Sequence, residues 1–350
     1  MHLTTPFQVT KRFAKWWLTP KPRVEYLLLC VTFRCNSRCQ MCDLWKGVHP
    51  TYEMTSEEYE RLAKDKALKH LHELDLTGGE TFIREDLTEI IRVFVENHKI
   101  THLNMPTNGF LTDKILADLE EIRTFYDGVL RVGLSVDGYG DVHERIRRVP
   151  NAWDKAYKTW KELSRLMAKD SKFEASAYAT IIGHENINEI PRLKRIFGDK
   201  FMFRLSCSNE YLHNNPEWRQ HDPRVVNKWE KYAYEYCNSK ASYYLIDRIA
   251  EYFRTEPYQF VKCRLAVDGH CFVWPTGDVY PCVESWSNLY LGNVREESLH
   301  TILTSDKAQE AKSFIRNGKC HCIADCMFLR NLKVDPGFHW WLVKQRWNGG

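Results

Sequence analysis

The feature that most constrains the fold of this chain is an alternation of short apolar runs with longer helical segments, which begins near residue 24. The apolar runs are rich in β-branched residues and nearly continuous in apolar character, as strands buried in a parallel sheet are. Strands that alternate with helices pair in parallel through right-handed crossovers, so six such units predict an α/β fold with a partial (β/α)6 barrel. The predicted strands are VEYLLLCVTF, HLHELDLTGGE, ITHLNMPTNG, GVLRVGLSVDG, FEASAYATII and KFMFRLSCS.

The helices between these strands have recognisable starts. Thr55, with Glu58 three residues later, is a capping-box pattern that predicts a helix over YERLAKDKALKHL. Active residues of such barrels lie at the C-terminal ends of the strands, so the segments TGGE, PTNG, SVDG and SCSNE are candidate site loops. The other predicted helices are EDLTEIIRVFVENH, TDKILADLEEIRTFY, AWDKAYKTWKELSRLMAK and NINEIPRLKRIF.

Changes in composition and in the length of the predicted elements divide the sequence into four segments. An N-terminal extension of residues 1–23 precedes the barrel, which covers residues 24–240, and a C-terminal tail covers residues 336–350. Between the barrel and the tail, residues 241–335 change to short elements punctuated by Gly and Pro, and they carry most of the later cysteines. We therefore predict a second, small, cysteine-rich domain that is organised by metal.

Cysteine usage indicates bound metal. The chain has 12 cysteines, and Cys35, Cys39 and Cys42 form a C-x3-C-x2-C loop directly after the first predicted strand. No signal peptide and no apolar run of about 20 residues is apparent, so we expect a cytoplasmic protein, in which clustered thiols bind metal instead of forming disulfides. Structural zinc needs four ligands, for which His49 is the nearest additional candidate, whereas an iron–sulfur cube held by three thiolates leaves one iron open.

The cysteine trio, taken with three later motifs, resembles the radical S-adenosylmethionine (SAM) enzymes. LTGGETFIREDL, TNG and LSVDG follow the second, third and fourth predicted strands in the order found in that family. HERIRRVPNAWDKA resembles the next segment of members that carry an extra cluster domain. Met41 stands where the family often has an aromatic residue and Thr81 where it commonly has Pro, which concerns packing near the cofactor more than the ligands.

The resemblance implies that SAM chelates the open iron of a [4Fe-4S] cluster held by the trio. An electron from a flavodoxin-type or ferredoxin-type reductant would then split SAM into methionine and a 5′-deoxyadenosyl radical, which abstracts hydrogen from the substrate. Gly78 and Gly79 would let the backbone approach SAM, and Glu80 would accept from its amino group. The residues that the resemblance assigns to SAM binding are Gly78, Gly79, Glu80, Asn108, Ser135 and Asp137.

The late cysteines resemble the auxiliary-cluster domains known as SPASM and twitch. Cys263 and Cys282 bracket Gly277 as C-x13-G-x4-C, and GKCHCIADC supplies three more thiols. The count implies one auxiliary [4Fe-4S] cluster, as in a shortened twitch domain, with a structural zinc knuckle as the competing interpretation. We expect Cys271 to be a free buried thiol on a strand before the hairpin turn PTGD. The expected ligands are Cys263, Cys282, Cys322 and Cys326, with Cys320 as the rival for one place.

The reaction is less constrained by the sequence. Cys207 is the candidate catalytic residue, because a thiol facing a substrate radical can return a hydrogen atom and invert a carbon centre. Loss of an electron to the auxiliary cluster would oxidise the substrate instead, and this is the outcome that we favour. The residues expected to face the substrate are Tyr178, Arg204, Ser206, Cys207, Asn209 and Glu210.

The sequence bears on three kinds of partner, which are the substrate, nucleic acid and the membrane. CQMCDLWK resembles trios of family members that act on sugars, aminocyclitols and lipids, so we expect a small-molecule or lipid-linked substrate. Peptide-modifying maturases commonly have a recognition domain before the barrel, for which the extension here is short, and they remain the alternative together with a non-enzymatic iron–sulfur or zinc sensor or scaffold. Charges of both signs are mixed throughout, which gives no basic stripe for nucleic acid. KRFAKWW and HWWLVKQRW suit either terminal helices or peripheral membrane contact.

Overall fold

The fold is built on one sheet. We describe it from a computed structural model, which covers residues 18, 22–46, 52–206, 222–236, 240–255, 263–283, 289–320, 330–331, 334–337 and 340. The strands are β1 (Tyr26–Cys30), β2 (Glu73–Thr77), β3 (His102–Thr107), β4 (Val129–Ser135), β5 (Phe173–Ile181), β6 (Phe201–Leu205), β7 (His270–Val273), β8 (Asp278–Tyr280) and β9 (Gly292–Asn293).

The sheet has the order β6-β5-β4-β3-β2-β1-β7-β8-β9. Strands β1 to β6 pair in parallel, each with its neighbour in the chain, which confirms the six predicted parallel strands. Strand β7 pairs in parallel with β1, and β8 and β9 continue as antiparallel neighbours. The first strand of the predicted second domain therefore extends the sheet of the barrel, a pairing that the sequence did not reveal.

The two faces of the sheet have different partners. All five residues of β1 are buried, whereas β4 and β5 alternate between buried and more exposed positions. Leu27, Leu74, Leu103 and Leu130 belong to the main core, which the helices cover. Tyr26 and Leu28 point the other way, into a smaller cluster that also contains residues of the late segment. On β2, β3 and β4 the same face carries Asp75, Asn104 and Arg131, and we call it the concave face.

The helices cover the convex face. Thr55 accepts from Glu58 N and the Glu58 carboxylate accepts from Thr55 N, which confirms the predicted capping box. That first helix ends at Ala63, earlier than predicted, because the Asp65 side chain accepts from Ala67 N at 2.8 Å and starts a separate 3₁₀ turn. The helices are α1 (Ser56–Ala63), α2 (Leu87–Asn97), α3 (Thr112–Phe125), α4 (Asp141–Arg147), α5 (Ala152–Lys169), α6 (Ile190–Phe197), α7 (Pro223–Tyr236), α8 (Lys240–Arg254), α9 (Leu299–Thr304) and α10 (Asp306–Phe314).

None of the helices in the described part of the chain has the length and apolar character needed to span a bilayer. Trp340 is 62% exposed. The rest of KRFAKWW and HWWLVKQRW lies outside the described residues, so membrane contact by these segments stays a prediction.

Candidate active site

The predicted site segments meet at one edge of the sheet. The cysteine loop follows β1, and TGGE, TNG and SVDG follow β2, β3 and β4. Because these strands are parallel neighbours, their C-terminal ends lie side by side. The fold therefore gathers four motifs that are far apart in the sequence.

The cysteine trio sits in a partly covered loop. Cys39 is buried and Cys35 and Cys42 are half-buried. Burial raises the pKa of Cys35 to about 12 and that of Cys42 to about 11, and the neighbouring thiols contribute in the same direction. The three sulfurs are therefore close enough to interact electrostatically. Thiols of this kind bind metal when a cation displaces their protons.

The donor set fits an iron–sulfur cluster. Three free thiols on one loop are soft ligands, and a three-cysteine [4Fe-4S] site keeps one iron open. Among the described residues, no group of three or more His, Cys, Asp or Glu side chains is arranged to hold a single metal ion. His49, the nearest candidate for a fourth zinc ligand, lies outside the described residues.

A buried arginine contacts the trio, and sequence reasoning did not single it out. Arg147, the last residue of α4, donates from Nη1 to Cys39 Sγ at 3.5 Å. Its carbonyl oxygen accepts from Arg38 N at 3.1 Å, and Gln40 N donates to Ile146 O at 2.9 Å. The end of α4 therefore pairs with the cysteine loop through both backbone and side chain. In the sequence, Arg147 lies in HERIRRV, within the segment that resembles family members with an extra cluster domain.

Asp137 holds this arginine in place. The Asp137 carboxylate is fully buried, and its Oδ2 lies 2.7 Å from Arg147 Nε. Its Oδ1 accepts from Thr180 N at 2.9 Å. Burial lowers the pKa of Arg147, but the charges of Asp137 and Cys39 more than compensate, so the guanidinium stays charged. Both carboxylate oxygens thus have protein partners, and contact between Asp137 and SAM stays a prediction, as it does for Ser135 at the end of β4.

The two glycines of TGGE pack against the cysteine loop. A Cβ atom at Gly78 would lie 2.6 Å from Thr32 O, and one at Gly79 would overlap Arg34 O even more closely. Gly79 N donates to Thr32 O at 2.9 Å. Glycine is therefore required for the close approach of two strand-end turns. Their predicted approach to SAM is a separate role that stays a prediction.

Glu80 links the loops after β2 and β3. The side chain is 2% exposed, and it accepts from Thr107 Oγ1 at 2.8 Å and from Asn108 N at 2.7 Å. Asn108 Nδ2 in turn donates to Asn36 Oδ1 at 2.6 Å, which reaches the cysteine loop. Burial raises the pKa of Glu80 to about 6, although the hydrogen bonds oppose this effect.

The concave face of the barrel carries polar and charged side chains. Asp75, Asn104 and Arg131 occupy one row across β2, β3 and β4. Arg131 pairs with Glu174 at 2.6 Å. Tyr178, near the end of β5, is 40% exposed. Of the other residues expected to face the substrate, Arg204 and Ser206 lie at the end of β6 and just beyond it, whereas Cys207, Asn209 and Glu210 lie outside the described residues.

The late cysteines are partly described. Cys282 and Cys320 are buried, and Cys263 Sγ accepts from Asn331 Nδ2 at 3.2 Å. Cys271 lies on β7 and is fully buried, as predicted, and burial raises its pKa to about 12. The predicted turn between β7 and β8 is present, with Gly277 at φ +90°. Cys322 and Cys326 lie outside the described residues, so the auxiliary ligand set stays a prediction.

Two family models match the chain. The radical SAM superfamily matches residues 29–196, which contain the four strand-end motifs. An iron–sulfur cluster-binding domain, SPASM, matches residues 263–327, which contain the late cysteines. The first domain binds a [4Fe-4S] cluster and SAM, and the second binds auxiliary iron–sulfur clusters.

A curated relative is similar over part of the chain, and two solved structures are similar over most of it. A GTP 3′,8-cyclase of Acaryochloris marina is 30% identical over 146 residues, which is 40% of this chain and 42% of the relative. The chain thus spans under half the length of that curated relative. Among solved structures, native anSMEcpe with bound AdoMet has a TM-score of 0.58 at 18% identity, covering 83% of each chain. Streptococcus suis SuiB bound to S-adenosylmethionine has a TM-score of 0.61 at 15% identity, covering 88% of this chain and 72% of SuiB. At these identities the two structures show the fold alone.

Proposed function

The chain belongs to the radical SAM superfamily and carries a C-terminal iron–sulfur cluster-binding domain, and from this premise we propose that it is a cytoplasmic enzyme acting on a small-molecule or lipid-linked substrate. Reductive cleavage of SAM at the cluster held by Cys35, Cys39 and Cys42 would supply the 5′-deoxyadenosyl radical that abstracts hydrogen from this substrate. The observation that carries the proposal is the convergence of the trio with three strand-end motifs.

The residues around the trio support distinct roles. Gly79 and Glu80 fasten the loop after β2 to the backbone of the cysteine loop, with Glu80 N donating to Arg34 O at 2.9 Å. Glu80 Oε2 accepts from Asn108 N and keeps a second lone pair. We assign that lone pair to the amino group of SAM. The other proposed SAM contacts are Gly78, Gly79, Asn108, Ser135 and Asp137.

The polar concave face supports a small polar substrate. Tyr178, near the C-terminal end of β5, offers a phenol close to the strand-end motifs, and Arg131 and Glu174 add charged groups nearer the N-terminal ends of β4 and β5. Solved structures contain SuiB bound to the precursor peptide SuiA and anSMEcpe bound to the Cp18Cys peptide. A peptide therefore stays the alternative substrate class here, with the size of the accepted substrate as the distinguishing measurement.

The proposed outcome is oxidation of the substrate with the auxiliary cluster as electron acceptor. The competing outcome is epimerisation with Cys207 as hydrogen donor. Turnover in deuterated water separates them: oxidation predicts a product two hydrogens lighter and without deuterium at the reacting carbon, whereas epimerisation predicts one deuterium there. Under oxidation, Cys207→Ser should leave product formation largely intact.

An electron donor is required, and a basic surface beside the cysteine loop supports a protein partner. Arg34, Arg38, Arg145 and Arg148 are all exposed on the loop or next to its contact with α4. Arg34 lies 3.7 Å from Glu53, whereas within the described ranges no carboxylate forms an ion pair with Arg38, Arg145 or Arg148. Such uncompensated charge favours encounter with an acidic protein, and flavodoxin-type or ferredoxin-type reductants are the proposed class.

A further inference from the structure

Arg147 places a permanent positive charge beside one thiol of the trio. Its Nη1 lies 3.5 Å from Cys39 Sγ, although the two residues are 108 positions apart in the sequence. The arginine is 8% exposed, so water and salt screen its charge much less than they screen a surface arginine. Hydrogen bonds to ligand sulfurs and the charge near a cluster set the reduction potential of iron–sulfur sites.

Arg147 is held through both its side chain and its backbone. Asp137 Oδ2 lies 2.7 Å from Nε of the guanidinium, and the backbone oxygen of Arg147 accepts from Arg38 N at 3.1 Å. Asp137 is itself held, because its Oδ1 accepts from Thr180 N at 2.9 Å and its carbonyl oxygen accepts from Asn186 Nδ2 at 3.0 Å. The buried pair is therefore part of the loop's framework, with one charge facing the sulfur and the other behind it.

A second neighbour of Cys39, the Ser37 hydroxyl, is shared between the sulfur and a backbone oxygen. The Ser37 hydroxyl lies 3.0 Å from Cys39 Sγ and 3.0 Å from Arg147 O. It has a single proton, which serves either the sulfur or the carbonyl oxygen. A thiolate at Cys39 has no proton to give, so the guanidinium is the side-chain donor that remains when Ser37 turns to the carbonyl oxygen.

We propose that Arg147, positioned by Asp137, raises the reduction potential of the cluster held by Cys35, Cys39 and Cys42 and so eases the one-electron reduction on which SAM cleavage depends. This inference rests on the proposed function. A positive charge next to a ligand sulfur stabilises the reduced cluster, which carries one more electron. The carboxylate behind the guanidinium offsets part of this effect, so the pair sets the potential jointly.

The test is an EPR-monitored redox titration of the anaerobic, iron-loaded protein, with the N-terminal cluster identified by the change that SAM causes in its signal. Arg147→Gln should lower the midpoint potential, so that about tenfold less cluster is reduced at a fixed low potential, equivalent to about 59 mV for a one-electron couple. Arg147→Lys keeps the charge and should restore most of the shift. Arg165→Gln removes an exposed arginine on α5 and should leave the potential unchanged.

A substitution of opposite sign separates this role from a merely structural one. Asp137→Asn keeps an oxygen that can accept from Thr180 N but removes the offsetting negative charge, so it should raise the midpoint potential. General damage to the loop would shift the midpoint potentials of Arg147→Gln and Asp137→Asn in the same direction. If Arg147→Gln cannot be loaded with iron, the Lys and Asn variants decide the question.

Two failures are distinguishable. A wild-type chain that binds no iron and no sulfide would overturn the proposed function itself. Full iron and sulfide with equal potentials in the wild type, Arg147→Gln and Asp137→Asn, or a downward shift in both variants, would overturn only the role assigned to Arg147.

Discussion

Glu80 shows at the scale of one residue how burial prepares the site. Its carboxylate accepts from the side chain of Thr107 and from the backbone of Phe82 and Asn108, and it is nevertheless harder to ionise than a surface glutamate. Burial is the largest contribution to its raised pKa, which is about 6. The group is ionised at neutral pH and becomes protonated in mild acid.

This pKa predicts the pH dependence of SAM binding. Ionised Glu80 accepts from the SAM amino group, and protonation removes this acceptor, so SAM affinity should fall as the pH drops through about 6. Glu80→Gln should weaken binding about tenfold at pH 7.5, since hydrogen bonds to charged groups contribute about 1.5–3 kcal/mol. The measurement is a titration with SAM followed by the EPR signal of the reduced cluster. A Gln variant with the same loss of affinity between pH 7 and 5.5 would exclude Glu80 as the titrating group.

Local sequence predicted which residues form the site but not how they contact each other. The trio, Glu80 and Asn108 follow from motifs at predicted strand ends. The contact of Cys39 with Arg147 bridges 108 positions, and no local pattern encodes it. Asp137 likewise lies in the motif LSVDG, which is compatible both with binding a ligand and with holding an arginine.

At the scale of elements, the late segment is joined to the barrel by a strand and by an arginine. Strand β7 pairs with β1 over four residues. Arg330 Nη2 lies 2.6 Å from Glu73 Oε1 and 3.4 Å from Asp75 Oδ2, and its guanidinium covers the Tyr26 ring at 3.6 Å. The positions of strands and helices were predictable from periodicity. The pairing of β7 with β1 and of Arg330 with Glu73 was not, because it depends on contacts between residues far apart in the sequence.

Removal of this arginine should cost stability. Arg330→Met would remove the cation beside Glu73 and the half-buried Asp75, and we expect a loss of about 2 kcal/mol in unfolding free energy, below the range for fully buried pairs because Arg330 keeps 15% exposure. The matched control is Arg165→Met, whose exposed pair with Glu162 should contribute less than about 0.5 kcal/mol. Anaerobic urea unfolding measures both. Equal losses in the two variants would show that Arg330 does not fasten the late segment to the barrel.

At the scale of the whole molecule, two cysteine groups should hold two independent clusters. Cys282→Ala should lose the auxiliary cluster and about half of the roughly eight irons, while uncoupled formation of 5′-deoxyadenosine survives. Iron and sulfide analysis, with SAM turnover on the same sample, measures both effects. Unchanged iron in folded Cys282→Ala would mean that Cys282 is not a ligand.

The basic surface predicts a rate effect that depends on the electron donor. The double variant Arg38→Glu, Arg145→Glu should slow cluster reduction by a reduced flavodoxin about tenfold or more at low salt, because charge reversal removes electrostatic steering. Reduction by dithionite should change little. The matched control is Lys69→Glu, Lys99→Glu, which alters exposed lysines before β2 and β3, at the opposite edge of the sheet. Similar slowing in both double variants would place the donor elsewhere.

SAM cleavage by the anaerobic, iron-loaded and reduced protein tests most directly whether the cysteine trio holds a radical-forming cluster. We expect 5′-deoxyadenosine and methionine in equal amounts, quantified by mass spectrometry, and their complete loss in a variant with Cys35, Cys39 and Cys42 changed to Ala that still retains about half of the iron. The assignment of SAM cleavage to this cluster is wrong if wild-type protein with its full iron and sulfide forms no 5′-deoxyadenosine, or if the variant without the trio cleaves SAM equally well.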